Sequence, residues 1–409
     1  MPTIKDSVHD HIEVDGVAAD LLDTPPVQRL RRISQLGTVT LVYPSANHTR
    51  FEHSLGVYHL ADRALDSLGV QGPEAERVRA AALLHDVGHA PFSHNVEELI
   101  HRETGLYHDD VADIVAETAV GDVLRDHDLD PGRVAGLIAG DGRYGQLVSG
   151  ELDVDRMDYL VRDAHHTGVP YGTIDHERLI RELTFADGDL VLDDGNVQTA
   201  ESLLLARALM NPTVYTQHTA RISKSMLRRA TERLLAETGT TAAEIRRWDD
   251  YDLLTALRRT EATEAFARRY DERTLFKRAV WAEYDDVPAR VRSFDHEQTR
   301  AAERAIADRC GLSPRQVILD VEPKPEMRES TSKVIVNDEV RRLEEESALV
   351  SALRVAQQRR WRLGVYTPAA ATDCVGAAAV EELGLDAETA PVSEVSGSLH
   401  ATLDEFGAE

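Results

Sequence analysis

The adjacent residues His85 and Asp86 follow an uninterrupted apolar run, Ala80–Leu84, at the end of a predicted helix. A helical turn that is apolar on every side belongs in a hydrophobic core, so these two side chains must lie at the edge of that core. Charged groups at such a position need partners, and imidazole with carboxylate suits first-row transition ions. Capping or a salt bridge explains most such pairs, and the pair alone leaves those interpretations open.

Two further segments supply side chains of the same kind. Segment 48–53 contains two histidines and opens a predicted helix, and segment 152–159 contains three aspartates near the start of a later helix. One histidine, one His-Asp pair and one aspartate give four nitrogen and oxygen ligands with room for water. An open coordination position is what a hydrolytic metal site keeps.

The spacing of apolar residues predicts that the first part of the chain is mostly helical. Helices are expected at Arg50–Leu68, Glu74–Asp86, Asp109–Arg125, Pro131–Ala139, Glu151–Thr167 and Asn196–Glu237, and a helical stretch at Thr240–Tyr270. A hairpin is expected at Leu183–Leu192, where Asp187 and Gly188 favour a tight turn.

The second half changes character. β-type runs are predicted at Ala279–Ala282, Val317–Val321, Lys333–Val336 and Leu363–Tyr366, with helices at Asp295–Cys310 and Asp338–Arg360. The resulting order, βαββαβ, is that of ferredoxin-like folds. The predicted fold class is therefore a mostly α-helical core with a smaller C-terminal α+β region.

The 409-residue chain has a formal net charge of −26, whereas soluble domains usually carry a charge of magnitude ~2–8. Its acidic residues are spread along the whole chain, which predicts adaptation to a high-salt cytoplasm, as in haloarchaea; a surface for a basic partner is the alternative. The same charge argues against delocalised nucleic-acid binding. Fifteen of the 17 histidines lie between His9 and His218, so the chemistry is expected there.

Neither a membrane span nor a signal peptide is expected. No apolar run approaches the ~18 residues of a membrane span, and Met1–Asp10 lacks a basic-then-apolar pattern. A soluble, cytoplasmic protein is therefore predicted. Cys310 and Cys374 are far apart in the sequence and have no metal-type spacing, so they fit a reducing compartment and exclude a disulfide scaffold.

The order of the site side chains resembles the H…HD…D pattern of the HD-domain metal-dependent phosphohydrolases. The flanking sequence resembles one branch of them, the deoxynucleoside triphosphate triphosphohydrolases, both the animal enzyme with SAM and HD domains and its bacterial relatives. The matching stretches are Leu22–Pro25, Gln28–Arg31, Gln35–Gly37, His48–Val57, Leu84–His94, Asp153–Tyr159 and Leu275–Lys277. The predicted domains are an HD core at 1–237, a helical extension at 238–275 and the α+β region at 276–409.

The resemblance implies one divalent transition-type ion (Mn, Fe, Ni or Zn), with additional Mg accompanying the substrate phosphates. The implied metal ligands are His53, His85, Asp86 and Asp155. By contrast, His9 and His11 lie in an alternating segment, and they are expected to be edge-strand histidines rather than ligands.

The resemblance also implies the groups that handle protons. His108 matches the catalytic histidine, which usually precedes a glutamate; here Asp109 follows it, and a His108–Asp109 pair is expected. His89 and His94 match histidines that face the phosphates, and His94 resembles a proton donor to the leaving group.

Further positions match substrate contacts. They are Arg50, Arg156 and Tyr159 for the phosphates, Gln35, Leu36 and Asp163 for the deoxyribose, and Arg207 and Tyr215 near the phosphates and the base. Gln35 and Asp163 would bind the 3′-hydroxyl, while Leu36 leaves no room for a 2′-hydroxyl. Asn211 and Gln217 stand where relatives often carry histidine, which leaves base selectivity open.

The resemblance implies the reaction of dNTP plus water to deoxynucleoside plus tripolyphosphate, catalysed by a homo-oligomer (dimer or tetramer). Asp23, Gln28 and Arg31 match a guanine-recognising activator site at a subunit interface. One alternative is hydrolysis of another nucleotide: a monophosphate, a signalling nucleotide or a single-strand end. The other is a nucleotide-binding regulator without catalysis. Neither membrane association nor sequence-specific nucleic-acid binding is expected.

Overall fold

The computed structural model describes residues 3–323, 331–386 and 390. Contacts divide the chain into two compact units, the first comprising Met1–Arg273 and Met327–Arg354 and the second Thr274–Glu326 and Val355–Glu409. The boundaries expected at 237/238 and 275/276 stay predictions. The main difference between the compact units and these boundaries is that residues 327–354 belong to the first unit.

Helices make up most of the described chain. They are α1 (Gly16–Leu22), α2 (Pro25–Arg29), α3 (Arg50–Ser67), α4 (Pro73–Leu84), α5 (His94–Thr104), α6 (Ala112–Glu117), α7 (Ala119–Asp126), α8 (Pro131–Ile138), α9 (Gly142–Val148), α10 (Val154–Thr167), α11 (His176–Arg181), α12 (Val197–Met210), α13 (His218–Glu237), α14 (Ala242–Ile245), α15 (Asp250–Arg259), α16 (Glu261–Asp271), α17 (Ala289–Arg292), α18 (His296–Arg309), α19 (Leu343–Glu346), α20 (Ala348–Arg360) and α21 (Thr372–Leu383). A π-helical turn, Asn211–Tyr215, follows α12. The predicted fold class, a mostly helical core with a smaller α+β part, is confirmed.

Short strands form three sheets among the described residues. They are β1 (Thr3–Asp6), β2 (Asp10–Glu13), β3 (Leu183–Ala186), β4 (Asp189–Leu192), β5 (Lys277–Glu283), β6 (Ile318–Val321), β7 (Lys333–Val336), β8 (Glu339–Arg342) and β9 (Arg362–Thr367). In the first unit β1 pairs with β2, and a second sheet has the order β3-β4-β7-β8. In the second unit the order is β5-β9-β6, with both pairings antiparallel.

The predicted hairpin at 183–192 is present as β3 and β4. Asp187 and Gly188 form its turn with φ values of 54° and 90°, the left-handed conformation that this turn requires. The ferredoxin-like prediction is wrong for the run 333–336, because β7 pairs in parallel with β4 of the first unit. The helix predicted at Asp338–Arg360 starts at Leu343, because the preceding residues form β8.

The two cysteines correct another expectation. Cys310 follows α18 and Cys374 lies in α21, and these helices pack together in the second unit. Their sulfurs form a disulfide across a sequence separation of 64 residues, with the Cα atoms 5.9 Å apart. The long separation of the two cysteines in the sequence therefore did not predict that their side chains are close in the fold.

The site depends on how α3 begins and on how the turn after α4 is packed. Thr49 and Glu52 form a capping box that fixes the first turn of α3. Gly88 lies in the turn after α4, and a Cβ atom there would lie 2.0 Å from the backbone oxygen of His108. Only glycine therefore permits the segment around His108 to approach the His85-Asp86 turn.

Candidate functional site

The donor atoms of the four predicted ligands converge between α3, the end of α4 and the start of α10. His53 Nε2 lies 2.8 Å from Asp155 Oδ1, 3.2 Å from His85 Nε2 and 3.7 Å from Asp86 Oδ2. His85 Nε2 lies 3.4 Å from Asp86 Oδ1 and 3.8 Å from Asp155 Oδ1. Separations of about 3 to 3.5 Å are expected between ligands that bind one ion at ~2.0–2.2 Å. The donor atoms of His53, His85 and Asp86 all lie within 4.8 Å of one another, which fits a divalent metal ion, and Asp155 adjoins this group through His53.

Hydrogen bonds turn both imidazoles toward this group. The Nδ1 atom of His53 lies 2.7 Å from Asp158 Oδ2, and that of His85 lies 2.8 Å from the carbonyl oxygen of Ala82. Each acceptor holds a proton on Nδ1, so each Nε2 lone pair is available to a metal ion.

The electrostatics of the group favour a bound cation. Burial lowers the pKa of His53, but hydrogen bonds to Asp155 and Asp158 outweigh that effect and raise the pKa to about 10. Burial raises the pKa of Asp86, yet the charge of Arg50 holds this pKa well below its ordinary value. The pKa of Asp155 is lowered to about 2 despite burial, because His53 donates to it. Ionised carboxylates thus surround a position that holds a proton when no metal is bound.

A second cluster of histidines lies beside the first. His89 is 1% exposed, its Nε2 lies 3.2 Å from Asp86 Oδ1, and its ring stacks on that of His108 at 4.2 Å. His94, whose side chain is 52% exposed, meets both rings edge-on. The predicted histidines are therefore brought together, with His94 on the solvent side.

Glu97, rather than the predicted Asp109, is the carboxylate partner of His108. Glu97 Oε1 accepts a hydrogen bond from His108 Nδ1, and Glu97 Oε2 accepts one from His94 Nδ1 at 2.6 Å. Asp109 is exposed and has no described side-chain contact with His108. The prediction considered only the next residue in sequence. The signal for Glu97 was its position one helical turn after His94, which puts the two side chains on one face of α5.

Two arginines border the metal group. Arg50 is buried, and its guanidinium donates to Asp86 Oδ2 at 2.9 Å and to Ser93 Oγ at 2.8 Å. Arg156 lies in the first turn of α10 and pairs with Asp153, the residue that caps this helix. Both positive charges are thus fixed by carboxylates next to the metal donors.

Two of the predicted sugar-binding residues, Gln35 and Asp163, are linked through His48, whose carbonyl oxygen accepts from Gln35 N at 3.0 Å. Asp163 is 1% exposed and accepts hydrogen bonds from His48 Nε2 and Tyr215 Oη, each at 2.8 Å. Gln35 is buried, and its Oε1 atom has no described hydrogen-bond partner. Leu36, half-buried, follows it at the start of a 3₁₀ turn. A buried acceptor without a partner is costly in the free protein, so Gln35 marks a place for a ligand donor.

The π-helical turn after α12 reaches Asp163 through Tyr215. Tyr215 lies in the π-helical turn, and its ring centroid is 6.3 Å from that of Tyr159 on α10. Burial raises the pKa of both phenols, although the charge of Arg207 partly opposes it. Both phenols are therefore neutral hydrogen-bonding groups.

The predicted activator residues lie in and around α2. Gln28 Nε2 donates to the carbonyl oxygen of Leu22 at 2.7 Å, and Arg31 Nε donates to Gln28 Oε1 at 2.9 Å. The guanidinium of Arg31 lies 3.5 Å from the ring centroid of Phe51. Asp23 ends α1 and is exposed. Their role as an activator site stays a prediction.

Comparison with protein families identifies the class. The HD domain family matches residues 50–163, and the HD associated region matches residues 174–394. An uncharacterized protein of Methanocaldococcus jannaschii is 33% identical over 376 residues, which is 90% of this chain and 79% of that protein. The chain therefore belongs to the HD-domain family.

The chain is also similar to proteins named deoxynucleoside triphosphate triphosphohydrolase, which confirms the resemblance in sequence. The Homo sapiens protein SAMHD1 is 33% identical over 223 residues, 44% of this chain and 36% of that protein. The SAMHD1 homolog of Dictyostelium discoideum is 32% identical over 246 residues, 55% of this chain and 48% of that protein. This chain thus matches less than half the length of each of these two relatives.

Two solved structures share the fold over nearly the whole chain. A hypothetical protein from Aquifex aeolicus aligns with a TM-score of 0.76 at 29% identity, covering 92% of this chain and 99% of that chain. A phosphohydrolase from Bacteroides thetaiotaomicron aligns with a TM-score of 0.73 at 26% identity, covering 90% and 100%. Of the helices that the structure describes, none has the length and apolar character to cross a membrane.

Proposed function

We propose that this chain hydrolyses deoxynucleoside triphosphates to deoxynucleosides and tripolyphosphate. The observation that carries the proposal is the convergence of His53, His85 and Asp86, with Asp155 next to His53, beside a buried arginine and a Glu97-linked pair of histidines. This combination supplies a cation site, a fixed positive charge and proton-handling groups, which are the requirements of metal-assisted phosphoester hydrolysis. The similarity to proteins named as triphosphohydrolases supports the choice of substrate.

His53, His85, Asp86 and Asp155 would hold the ion. A divalent cation bound there supplies charge that polarises a phosphate and makes a water molecule nucleophilic. Arg50 and Arg156 would hold phosphate oxygens and stabilise the charge that develops on them. Whether a Mg²⁺ ion accompanies the phosphates stays a prediction.

His94 and His108 would move protons. The Glu97 carboxylate accepts from Nδ1 of both rings, so both Nε2 atoms are left for exchange with substrate or water. His94 is the more exposed ring and would protonate the leaving oxygen of the deoxynucleoside. His89, buried against Asp86, would fix the position of the stacked His108 ring.

Gln35, Leu36 and Asp163 would select deoxyribose. The unpartnered Oε1 of Gln35 accepts a hydrogen bond from the 3′-hydroxyl, and Leu36 closes the space that a 2′-hydroxyl would need. The base is selected less strictly, because Gln217 uses its Oε1 to accept from the backbone N–H groups of Thr219 and Ala220 at the start of α13. That engagement favours a second candidate, hydrolysis of another nucleotide by the same site.

Product analysis tests the proposal. Each dNTP and rNTP is incubated with the protein and Mn²⁺ in molar KCl, and nucleosides and inorganic phosphates are separated. Release of deoxynucleoside with tripolyphosphate, and no monophosphate, is the expected result. If no triphosphate is turned over while metal is bound, monophosphates and signalling nucleotides become the substrates to examine. The proposed dimer or tetramer is measured on the same sample by light scattering.

A further inference from the structure

We propose that Asp158 and His9, which are not among the four predicted metal ligands, are positioning residues that fix the ring of His53 for metal binding. The inference rests on the proposed function only in taking His53 as a metal ligand. It extends the site to the N-terminal hairpin of β1 and β2, because His9 lies in the turn between these strands.

The first step of the argument is the orientation of His53. This side chain is fully buried, and its Nδ1–H donates to Asp158 Oδ2 at 2.7 Å. A histidine can bind a metal through Nε2 only when the remaining proton is on Nδ1. An acceptor there fixes both the proton and the plane of the ring. Asp158 therefore sets the direction of the Nε2 lone pair.

The second step is the way in which Asp158 itself is held. Its Oδ1 accepts from His9 Nε2 at 2.6 Å and from Arg162 Nη2 at 3.0 Å, and its Oδ2 accepts from Arg162 Nε at 2.8 Å as well as from His53. Four donors thus occupy the four lone-pair positions of one carboxylate. Such a carboxylate cannot rotate without breaking several bonds at once.

The third step is the rigidity of the surroundings. The side chains of Asp158 and Arg162 are fully buried, and Arg162 also donates to Asp6 of β1 at 2.9 Å. Gly56 allows α3 to lie against this pair, because an added Cβ would be 1.9 Å from Asp158 Oδ1 and 2.5 Å from Arg162 Nη2. The network therefore leaves no room for His53 to turn.

The last step concerns His9. An edge-strand role was predicted for this residue, but its side chain is only 3% exposed and donates to Asp158. The ring also packs against those of His59 and His176, with centroids 5.2 Å and 5.5 Å away. His59 shares this packing but makes no described bond to Asp158. It is therefore a matched control for His9.

The test measures metal binding rather than turnover. Co²⁺ affinity is determined by chelator competition, and the ligand field is read from the visible absorption of bound Co²⁺, for wild type, His9→Phe and His59→Phe. His9→Phe should weaken Co²⁺ binding by about tenfold, the lower end of the effect of losing a group that supports a metal ligand, and should shift the absorption bands. His59→Phe should leave both within twofold of wild type.

A purely structural role makes a different prediction. In that case His9→Phe and His59→Phe would lower the melting temperature of the metal-free protein equally and leave Co²⁺ affinity unchanged. A second variant, Asp158→Leu with Arg162→Met, removes the acceptor without leaving a buried cation, and should weaken Co²⁺ binding by ten- to a hundredfold. Wild-type affinity and absorption in both His9→Phe and the double variant would overturn the inference.

The outcome is separable from that for the proposed function. Asp155→Ala, which removes a ligand, should abolish Co²⁺ binding, and wild-type binding in that variant would overturn the metal site and the inference together. If Co²⁺ binding follows the expected pattern but no triphosphate is hydrolysed, the proposed function fails and the positioning role stands.

Discussion

Glu97 accepts a hydrogen bond from Nδ1 of His108, although eleven residues separate them and Asp109 directly follows the histidine. The contact depends on Gly88, where a side chain would strike the backbone oxygen of His108. Burial lowers the pKa of His108, but the hydrogen bond and charge of Glu97 outweigh it and raise this pKa. Glu97 thus stabilises the protonated form of His108 next to the metal group.

Glu97→Gln should lower kcat for dNTP hydrolysis by about 10²- to 10³-fold, because general acid–base catalysis contributes effects of that order. Co²⁺ affinity of the site formed by His53, His85 and Asp86 should be unchanged, since Glu97 supplies no atom to that group. Asp109→Asn is the matched control and should retain wild-type kcat. The pairing is refuted if Asp109→Asn loses activity and Glu97→Gln does not.

Leu36→Gly should relax discrimination against ribonucleotides by tenfold or more, because it opens space beside Gln35 for a 2′-hydroxyl. The measurement is the ratio of kcat/KM for a dNTP to that for the matching rNTP. Val42→Ala, which trims another half-buried side chain on the same core, should leave the ratio unchanged. An unchanged ratio in Leu36→Gly would remove Leu36 from the sugar pocket.

Asp250 should make stability depend on pH. It accepts hydrogen bonds from Phe92 N and Ser34 Oγ, both at 2.6 Å, yet burial raises its pKa to about 6. Since this pKa is above the ordinary value of 3.8, the linked stabilisation is complete below pH about 4 and is lost as pH rises through 6. Over the whole range wild type should lose about 3 kcal/mol relative to Asp250→Asn, of which about 2 kcal/mol falls between pH 4.5 and pH 7.

Urea unfolding in molar KCl at pH 4.5 and pH 7 measures this difference for wild type and Asp250→Asn. Other acidic groups titrate in both proteins, so their contributions cancel. Asp122→Asn, whose native side chain is 79% exposed, should show no pH-dependent difference from wild type. A free-energy difference that is the same at both pH values would show that Asp250 ionises normally.

Reduction of the Cys310–Cys374 disulfide should destabilise the second unit. A cross-link that closes a loop of 64 residues restricts the unfolded chain and contributes about 4 kcal/mol in the chain-entropy description. Calorimetry with and without dithiothreitol should show a lower melting transition in the reduced protein. The double variant Cys310→Ser, Cys374→Ser should melt at that lower temperature with and without dithiothreitol. If the melting temperature of the wild type is the same in both conditions, the disulfide is absent.

Local pattern was sufficient for several of the elements and for singling out the His85-Asp86 pair. The apolar spacing predicted α3 to within one residue, and the Asp187-Gly188 turn predicted the hairpin of β3 and β4. His85 and Asp86 were recognisable because two charged side chains directly after an apolar turn must find partners. These features depend on helix and strand periodicity, which a sequence displays directly.

Pairings between distant segments were decided by tertiary structure alone. The sequence offered Asp109 as the partner of His108, left His9 on an edge strand, and kept Cys310 apart from Cys374. The fold instead brought Glu97 to His108, buried His9 against Asp158, and joined the two cysteines. The physical reason for this difference is that the order of residues along the chain decides only which side chains lie on the same helix or strand. The packing of elements, here through close approaches at Gly56 and Gly88, decides which side chains meet.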